Sequence, residues 1–381
     1  MSTPISTPLR RIRVAGAAAA LLMLSACEHA NIFEPSGDVA QRQAHLVLLS
    51  TGLMLLIIVP VMLLTAFFAW HFRAGNRDAS YDPEFHHSTK VELVVWSAPL
   101  AIIIALGSVT WVYTHLLDPF RPLDRLAEGQ PVTAADKPLE VEVVALDWKW
   151  LFIYPEQKVA SVNELALPTG RPVHFRLTSA TVMNSFFVPA IAGQIYAMPG
   201  MASQLNAVVN KPGTFRGFSA NYSGAGFSQM HFNTLGLEPA AFDKWVADTK
   251  AAGGNLDAAT YLKLAEPTIA EPVHHFGAVS ADLFDKVVNL CVEPGKMCVN
   301  QMAMLDARGG TGKAGLFNLA QLTYDKDGRP NLTPLTAARQ AQLDQRLNKA
   351  FVAALCATGP APLAAKAPKL TLSQPAPSPL S

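Results

Sequence analysis

The stretch LEVEVVALDWKWLFIYPE, residues 139–156, decides how most of this chain folds. Its first half alternates apolar and polar residues, the period of a β-strand with one buried face, and its second half is aromatic. Together with later stretches of the same kind, it predicts an all-β sandwich over residues 139–236. Those later stretches are RPVHFRLTSA (171–180), SQLNAVVN (203–210) and GTFRGFSA (213–220).

Two long apolar runs precede the predicted sandwich. Residues 46–70 and 92–113 each meet the roughly 20 residues that a helix needs to cross the hydrocarbon core. Trp70, Trp96 and Trp111 stand near the ends of these runs, as interfacial aromatic residues do. The sequence therefore predicts a hairpin of two transmembrane helices within residues 27–115. The formal net charge of the whole chain is +1, which gives no indication of nucleic-acid binding.

The charges around these runs predict how the hairpin sits in the membrane. Arg73, Arg77 and Lys90 lie in the connection 71–90. The positive-inside rule places this loop in the cytoplasm, so the N-terminus and everything after the second span lie outside. We expect a multi-pass protein of the bacterial inner membrane with its large domain in the periplasm.

The N-terminal residues 1–26 have the pattern of an export signal. Arg10, Arg11 and Arg13 precede a short apolar region, and LSAC (24–27) follows it. A small-residue site that ends in cysteine is typical of bacterial lipoproteins, so Cys27 is the predicted lipidation site. The alternative is an ordinary signal peptide with an incidental cysteine.

The remaining segments are predicted from composition and spacing. Residues 116–138 contain several prolines and form a linker. Residues 237–357 are predicted as a helical extension, because apolar residues recur at helical spacing around Phe242, Trp245 and Val246 and again within 281–290 and 333–356. The Pro- and Ala-rich residues 358–381 are predicted to be disordered.

Three cysteines lie in the exported part of the chain. An oxidising compartment favours disulfides. Cys291 and Cys298 are closest in sequence, but either could pair with Cys356. The adjacent His274 and His275 are interpreted as surface residues.

Two spans followed by a sandwich that carries DWKWLFIYPE resemble subunit II of the haem–copper respiratory oxidases. That resemblance implies a membrane hairpin bearing a cupredoxin-like domain. It runs to about Leu290, and the cysteine-containing tail beyond departs from the family pattern. The short helical C-terminal region is predicted from apolar spacing alone. In the cytochrome c oxidase version, a histidine in an HSxxxP motif and a loop CSExCGxxHxxM hold a dinuclear copper centre. Here NSFFVP has Asn184 at the histidine position.

The loop SANYSGAGFSQM, residues 219–230, resembles the copper loop with its ligands replaced. Ser219 and Ser223 stand for the bridging cysteines, Asn221 for the glutamate and Phe227 for the second histidine. Met230 survives, and a lone thioether cannot hold two copper ions. We therefore expect no metal in this chain. Among the oxidases, NYSGAGFS, QIYAMPGM, WKWLFIYPEQ and KVELVVW are similar to the cytochrome bo-type ubiquinol oxidases.

This resemblance implies a complex that oxidises ubiquinol, reduces oxygen to water and translocates protons. The haems, copper and quinol site would belong to subunit I, with subunit III and a small subunit IV as further partners in the bilayer. This chain would cap subunit I without a redox centre of its own. Glu92 is either an interfacial carboxylate beside Lys90 or the entry group of a proton pathway.

Two other functions remain open at this point. Met183, Met198, Met201 and Met230 cluster in sequence around the loop, and thioethers bind Cu(I), which favours a copper-delivering lipoprotein. The chain could also be a cytochrome c oxidase subunit that lost its copper.

Overall fold

The computed structural model describes residues 33–76, 79–80, 84 and 87–307. The predicted signal peptide, Cys27, Cys356, the helix predicted over 333–356 and the tail 358–381 lie outside the described residues.

Two long helices begin the described chain. They are α1 (Asp38–His71) and α2 (Thr89–Leu116), and both are long and apolar enough to cross a membrane. Each helix extends beyond the predicted span. In α1 the reason is that the first turns, where Asp38, Ala40 and Ala44 are buried, pack on the folded domain instead of lying in the membrane. Most of their apolar side chains face outward, as lipid or a partner subunit requires.

A β-sandwich follows the helices. A six-stranded sheet has the order β10-β7-β3-β4-β5-β14, and a five-stranded sheet has the order β6-β12-β11-β8-β9. Neighbours are antiparallel except the pairs β3–β7 and β6–β12. The strands in chain order are β1 (Arg125–Ala127), β2 (Gln130–Pro131), β3 (Leu139–Leu146), β4 (Lys149–Tyr154), β5 (Val159–Val162), β6 (Glu164–Pro168), β7 (Pro172–Ser179), β8 (Asn184–Phe187), β9 (Ile195–Ala197), β10 (Ser203–Val208), β11 (Gly213–Ser219), β12 (His231–Leu237), β13 (Asn255–Leu256), β14 (His274–Phe276) and β15 (Ala278–Val279).

The predicted strands and the fold class are confirmed. The three later stretches became β7, β10 and β11, and LEVEVVALDWKWLFIY became the hairpin β3–β4. The segment 116–138, predicted as a linker, carries the small two-stranded sheet β1–β2.

Strand β4 is buried on both faces. Trp150 and Phe152 point between the two sheets, where they meet Phe186 and Phe232. Phe186 and Phe232 stack with their ring centroids 5.4 Å apart. Leu151 and the other alternate residues point to the opposite face, into a second apolar cluster. A strand of this kind needs cover on both sides.

The C-terminal extension supplies that second cover. Tyr261, Phe284 and Val287 of the extension pack against the outer face of β4. The helices of the extension are α3 (Pro239–Ala252), α4 (Ala258–Leu264), α5 (Leu283–Val288) and α6 (Val299–Leu305). The prediction of a purely helical extension was incomplete, because β13, β14 and β15 also come from it and β14 joins the six-stranded sheet.

Polar contacts fasten the extension to the sandwich. Lys149 is 1% exposed, and its Nζ donates to the Glu266 carbonyl at 2.9 Å and the Thr268 hydroxyl at 2.6 Å. In strand β14, a ring nitrogen of His275 lies 2.8 Å from a carboxylate oxygen of Glu164. Since His275 is half-buried and bonded, its interpretation as a surface residue was too simple.

The neighbouring His274 is bonded in the same way. Its Nε2 lies 2.8 Å from Oε1 of Glu271, although its side chain is 42% exposed. The two adjacent histidines therefore each contact a carboxylate, one from the extension and one from β6.

The start of α1 is bonded directly to the sandwich. The backbone N–H groups of Ser36 and Gly37 both donate to the Ala190 carbonyl, at 2.7 and 3.1 Å. Asp38, 2% exposed, pairs with Arg42 at 2.8 Å and with Arg125 at 3.0 Å. These contacts place the sandwich next to the outer ends of the two helices.

A partly buried carboxylate lies where α5 packs on the six-stranded sheet. Glu142 of β3 is 12% exposed and lies 3.0 Å from a guanidinium nitrogen of Arg176. That guanidinium also covers the Phe284 ring at 4.9 Å and approaches Asp285 at 3.4 Å. Burial raises the pKa of Glu142 to about 7; Arg176 opposes this rise, whereas Asp285 and Glu140 add to it.

The raised pKa of Glu142 predicts a pH-dependent stability. The native state holds the proton more tightly than the unfolded state, whose pKa is near 4.5, so the free energy of unfolding falls as pH rises through about 7. Between pH 5 and pH 8 we expect the unmodified chain to lose about 1–3 kcal/mol more than Glu142→Gln.

Denaturant unfolding of the full chain in detergent, followed by tryptophan fluorescence, measures this difference. The exposed Glu128→Gln is the control and should keep the pH dependence of the unmodified chain. Identical pH slopes for Glu142→Gln and the unmodified chain would contradict the prediction.

Candidate functional site at the loop between β11 and β12

The loop 219–230 leaves β11 and returns as β12. The backbone N–H of Ser219 donates to the Met230 carbonyl at 3.1 Å, which closes the loop at its base. A single 3₁₀ turn, Phe227–Gln229, brings the chain back toward the sheet. The loop is thus a compact cap on the end of the five-stranded sheet.

Three of the predicted copper-ligand positions meet in a hydrogen-bond network. The hydroxyl of Ser219 donates to Oδ1 of Asn184 and to the Asn221 carbonyl, both at 3.2 Å. The Asn221 amide donates to the Met183 carbonyl at 3.1 Å. Ser219 is 3% exposed and Asn184 1% exposed, so these bonds satisfy polar groups that water does not reach.

The other three positions close the opposite side of the loop. The hydroxyl of Ser223 lies 3.8 Å from the Met230 sulfur. Met230 is 1% exposed and belongs to the core between the sheets. Phe227 is half-buried and packs edge-on against Tyr222, with ring centroids 5.5 Å apart. All six predicted positions therefore lie in or beside one loop.

Trp148 supports the loop from below. Its indole N–H donates to the Ser223 carbonyl at 3.1 Å. A Cβ at Gly226 would lie 2.4 Å from the indole, and Gly224 has a φ of +117°, so both positions require glycine. The pattern around WKW predicted strand structure but not this support of the loop. The glycines of NYSGAGFS were the signal that another group approaches the backbone closely.

The side chains at this site do not fit a dinuclear copper centre. Such a centre requires bridging thiolates and imidazoles, whereas the loop offers hydroxyls, amides and one thioether. Across the described residues no group of three or more His, Cys, Asp or Glu side chains could hold a metal ion. The hydrogen bonds among these side chains and the backbone keep the loop 219–230 rigid.

The methionines do not share one environment. Met230 is buried in the core, whereas Met183 is 39% exposed and Met201 50% exposed. The backbone carbonyl of Met198 accepts a hydrogen bond from the Thr178 hydroxyl at 3.2 Å.

Glu92 lies far from the loop, in the first turn of α2. One carboxylate oxygen is 2.8 Å from Nδ1 of His87, and the other ring nitrogen of His87 is 3.3 Å from the Thr89 hydroxyl. The Glu92 side chain is 51% exposed. It is therefore placed at the end of a membrane helix with a histidine as neighbour.

A disulfide joins Cys291 and Cys298 directly after α5. The backbone N–H of Cys291 donates to the Lys286 carbonyl, and that of Val299 to the Asn289 carbonyl. The bond closes a short loop between α5 and α6.

Comparisons with known proteins agree with this architecture. A family model described as cytochrome c oxidase subunit II, periplasmic domain, matches residues 140–234. A second, described as the COX aromatic rich motif, matches residues 250–295. The two models thus cover the sandwich and most of the described extension.

Curated relatives resemble the chain over most of their length. Cytochrome bo(3) ubiquinol oxidase subunit 2 of Pseudomonas putida is 48% identical over 269 residues, which cover 71% of this chain and 82% of the relative. Ubiquinol oxidase subunit 2 of Acetobacter aceti is 44% identical over 280 residues, which cover 74% and 88%. Among solved structures, the periplasmic domain of subunit II of cytochrome oxidase from Bradyrhizobium japonicum is 24% identical with a TM-score of 0.29, covering 30% of this chain and 94% of that one.

The geometry of the loop predicts that copper ligands can be restored. We expect the variant with Asn184→His, Ser219→Cys, Ser223→Cys and Phe227→His to take up a dinuclear copper centre, because all four positions lie in or beside the loop that Met230 closes. Copper content, visible absorption and electron paramagnetic resonance of the full-length variant measure this.

The control carries only the two histidine substitutions and keeps the serines. Without thiolates to bridge the metals it should form no such centre. A folded four-substitution variant that stays free of copper would show that the loop does not hold the ligand geometry.

Proposed function

The chain belongs to the ubiquinol oxidase subunit 2 family, and we propose on that premise that it is subunit II of a cytochrome bo-type terminal oxidase. The complex oxidises ubiquinol, reduces oxygen to water and translocates protons across the bacterial inner membrane. This chain is a structural subunit without a redox centre. The haems, copper and quinol site belong to subunit I, and subunit III and a small subunit IV complete the assembly.

The observation that carries this proposal is the hydrogen-bonded loop. The Ser219 hydroxyl bonds to the Asn184 side chain and to the Asn221 backbone carbonyl, at positions where a copper-containing relative would place ligands. A soluble cytochrome donor needs such a relay, because it delivers electrons from outside the membrane. Ubiquinol is dissolved in the membrane and can reach a site in subunit I directly, so the loop retains only a structural role.

The contacts of the domain support its role as a cap. The start of α1 is bonded to Ala190 and Asp38 is buried against Arg42 and Arg125, so the sandwich is held close to the outer ends of the spans. The apolar outer faces of the spans then pack on subunit I. Cleavage of the signal peptide and lipidation of Cys27 add a second anchor to the same membrane face.

Turnover of the purified complex tests this function. We expect oxygen consumption with ubiquinol and none with reduced cytochrome c, because the electron entry from a soluble donor is missing. The chain purified alone should contain no stoichiometric copper. Turnover with cytochrome c but not with ubiquinol, or one or two tightly bound copper ions per chain, would reject the proposal.

Glu92 is proposed as the entry group of a proton pathway into the complex. Its position at the cytoplasmic end of α2 and its contact with His87 support this role, since ionisable groups at membrane depth are often functional. In proteoliposomes we expect Glu92→Gln to lower turnover and proton uptake several-fold, while Glu92→Asp retains most of both.

The intact assembly and spectrum of the variant complexes serve as the control for folding. Unchanged turnover and pumping in Glu92→Gln would remove the carboxylate from the pathway. An equal loss in Glu92→Asp and Glu92→Gln would indicate a packing role.

A further inference from the structure

An open groove of about 480 Å³ separates the outer ends of the two membrane helices. Positions spaced by three or four residues lie on one face of a helix, so each helix presents a single face to the groove. The lining of the groove is apolar and hydroxyl-bearing along the helices and becomes charged at its outer end. Its residues are Gln43, Leu46 and Ser50 of α1, Thr110, Tyr113 and Thr114 of α2, and Leu117, Asp118 and Pro119 beyond α2.

The groove leads toward a smaller cavity of about 70 Å³ beneath the sandwich. Gln43, Leu117, Asp118 and Pro119 line both spaces, so the two adjoin. The smaller cavity adds polar side chains from the first helix, the connection and the sandwich. These are Arg42, Arg121, Asp124, Gln194 and Asn206.

The charged side chains at this junction differ in whether they are already paired with an opposite charge. Arg42 is held by Asp124 at 2.7 Å and by Asp38 at 2.8 Å. Asp118 and Arg121 are exposed, and their side chains bond to backbone groups: a carboxylate oxygen of Asp118 accepts from the Phe120 N–H at 2.9 Å, and Arg121 donates to a carbonyl oxygen at 3.3 Å. One anion, which lines both spaces, and one cation, which lines the smaller cavity, thus stand three residues apart at the outer end of the groove.

We propose that this groove binds one zwitterionic phospholipid, with an ethanolamine headgroup at the junction and an acyl chain between the helices. The ammonium pairs with Asp118, the phosphate pairs with Arg121, and the acyl chain lies along Leu46 and Tyr113. An anionic phospholipid would place its net charge beside Asp118 without a compensating ammonium. Complementarity to both charges therefore favours the zwitterion.

The proposed lipid has a structural consequence at the junction of the spans and the sandwich. The N–H groups of Ser36 and Gly37 join α1 to the sandwich, whereas the outer end of α2 is joined through the residues after Leu116 and a hydrogen bond from Asn206 to the Pro119 carbonyl at 3.1 Å. A lipid in the groove fills the space between these two attachments.

Native mass spectrometry of the purified complex tests the site. The complex is delipidated in detergent and exposed to nanodiscs of phosphatidylethanolamine, phosphatidylglycerol, or an equal mixture. We expect one phosphatidylethanolamine per complex to survive collisional activation, in several-fold excess over phosphatidylglycerol from the mixture. Soluble phosphoethanolamine should not be retained, because it has no acyl chain for the groove.

Variants locate the retained lipid. Asp118→Asn and Arg121→Gln should each lower its retention several-fold, and Ser50→Trp should lower it by filling the groove without changing a charge. Arg73→Gln is the matched control, since Arg73 also donates to a backbone carbonyl, but at the opposite end of the hairpin. Circular dichroism and subunit content establish that each variant complex is assembled.

Four results would overturn the proposal. They are equal retention of the two phospholipids, retention that none of the groove variants changes, loss of the lipid in Arg73→Gln to the same extent as in Arg121→Gln, and the absence of any retained lipid in the assembled complex. The last result is expected if a helix of a partner subunit occupies the groove. Failure of the ubiquinol assay would leave this test intact, because lipid binding does not depend on the electron donor.

Discussion

The burial of β4 on both faces is the constraint on which the rest of the exported domain depends. Trp150 and Phe152 fill the space between the sheets, and Leu151 and Ile153 would face water if nothing covered the outer side. The extension after residue 237 provides that cover with helices and with strand β14. It is therefore a part of the fold, because removing it would expose an apolar sheet face.

The same hairpin explains how protein contacts alone hold the shape of the loop. Trp148 sits in the turn between β3 and β4 and supports Gly224 and Gly226 from below. The register of the loop is thus fixed by aromatic packing and by the Ser219–Asn184 hydrogen bond. Neither contact involves the thiolates and imidazoles that a dinuclear copper centre requires.

The sequence predicted the elements whose signals are local. Alternation and flanking turns defined β3, β7, β10 and β11, and length with hydropathy defined α1 and α2. The same reasoning brought Asn184 and the loop positions together, although it did so through the resemblance to a family. Motifs whose spacing matches that of a known family also indicate which residues lie close together in the fold. Apolar periodicity alone gives only the elements and their buried faces.

What the sequence did not predict depends on contacts between distant residues. Nothing in the sequence around Lys149 indicates that this lysine is buried. It is buried because Glu266 and Thr268 supply acceptors more than a hundred residues later in the chain. The dipeptide His274–His275 is too short and polar to be predicted as a strand. It forms part of β14 because the edge of β5 accepts its backbone hydrogen bonds and the Glu164 carboxylate contacts the His275 ring.

The pairing of β5 with β14 also has a consequence for biogenesis. The bonded residues Glu164 and His275 are 111 positions apart, so the edge of the six-stranded sheet stays open while the chain is being exported. Unpaired edges recruit other strands and promote aggregation. A chain arrested before residue 274 would therefore leave β5 as an unpaired edge of its sheet, exposed to association with strands of other chains.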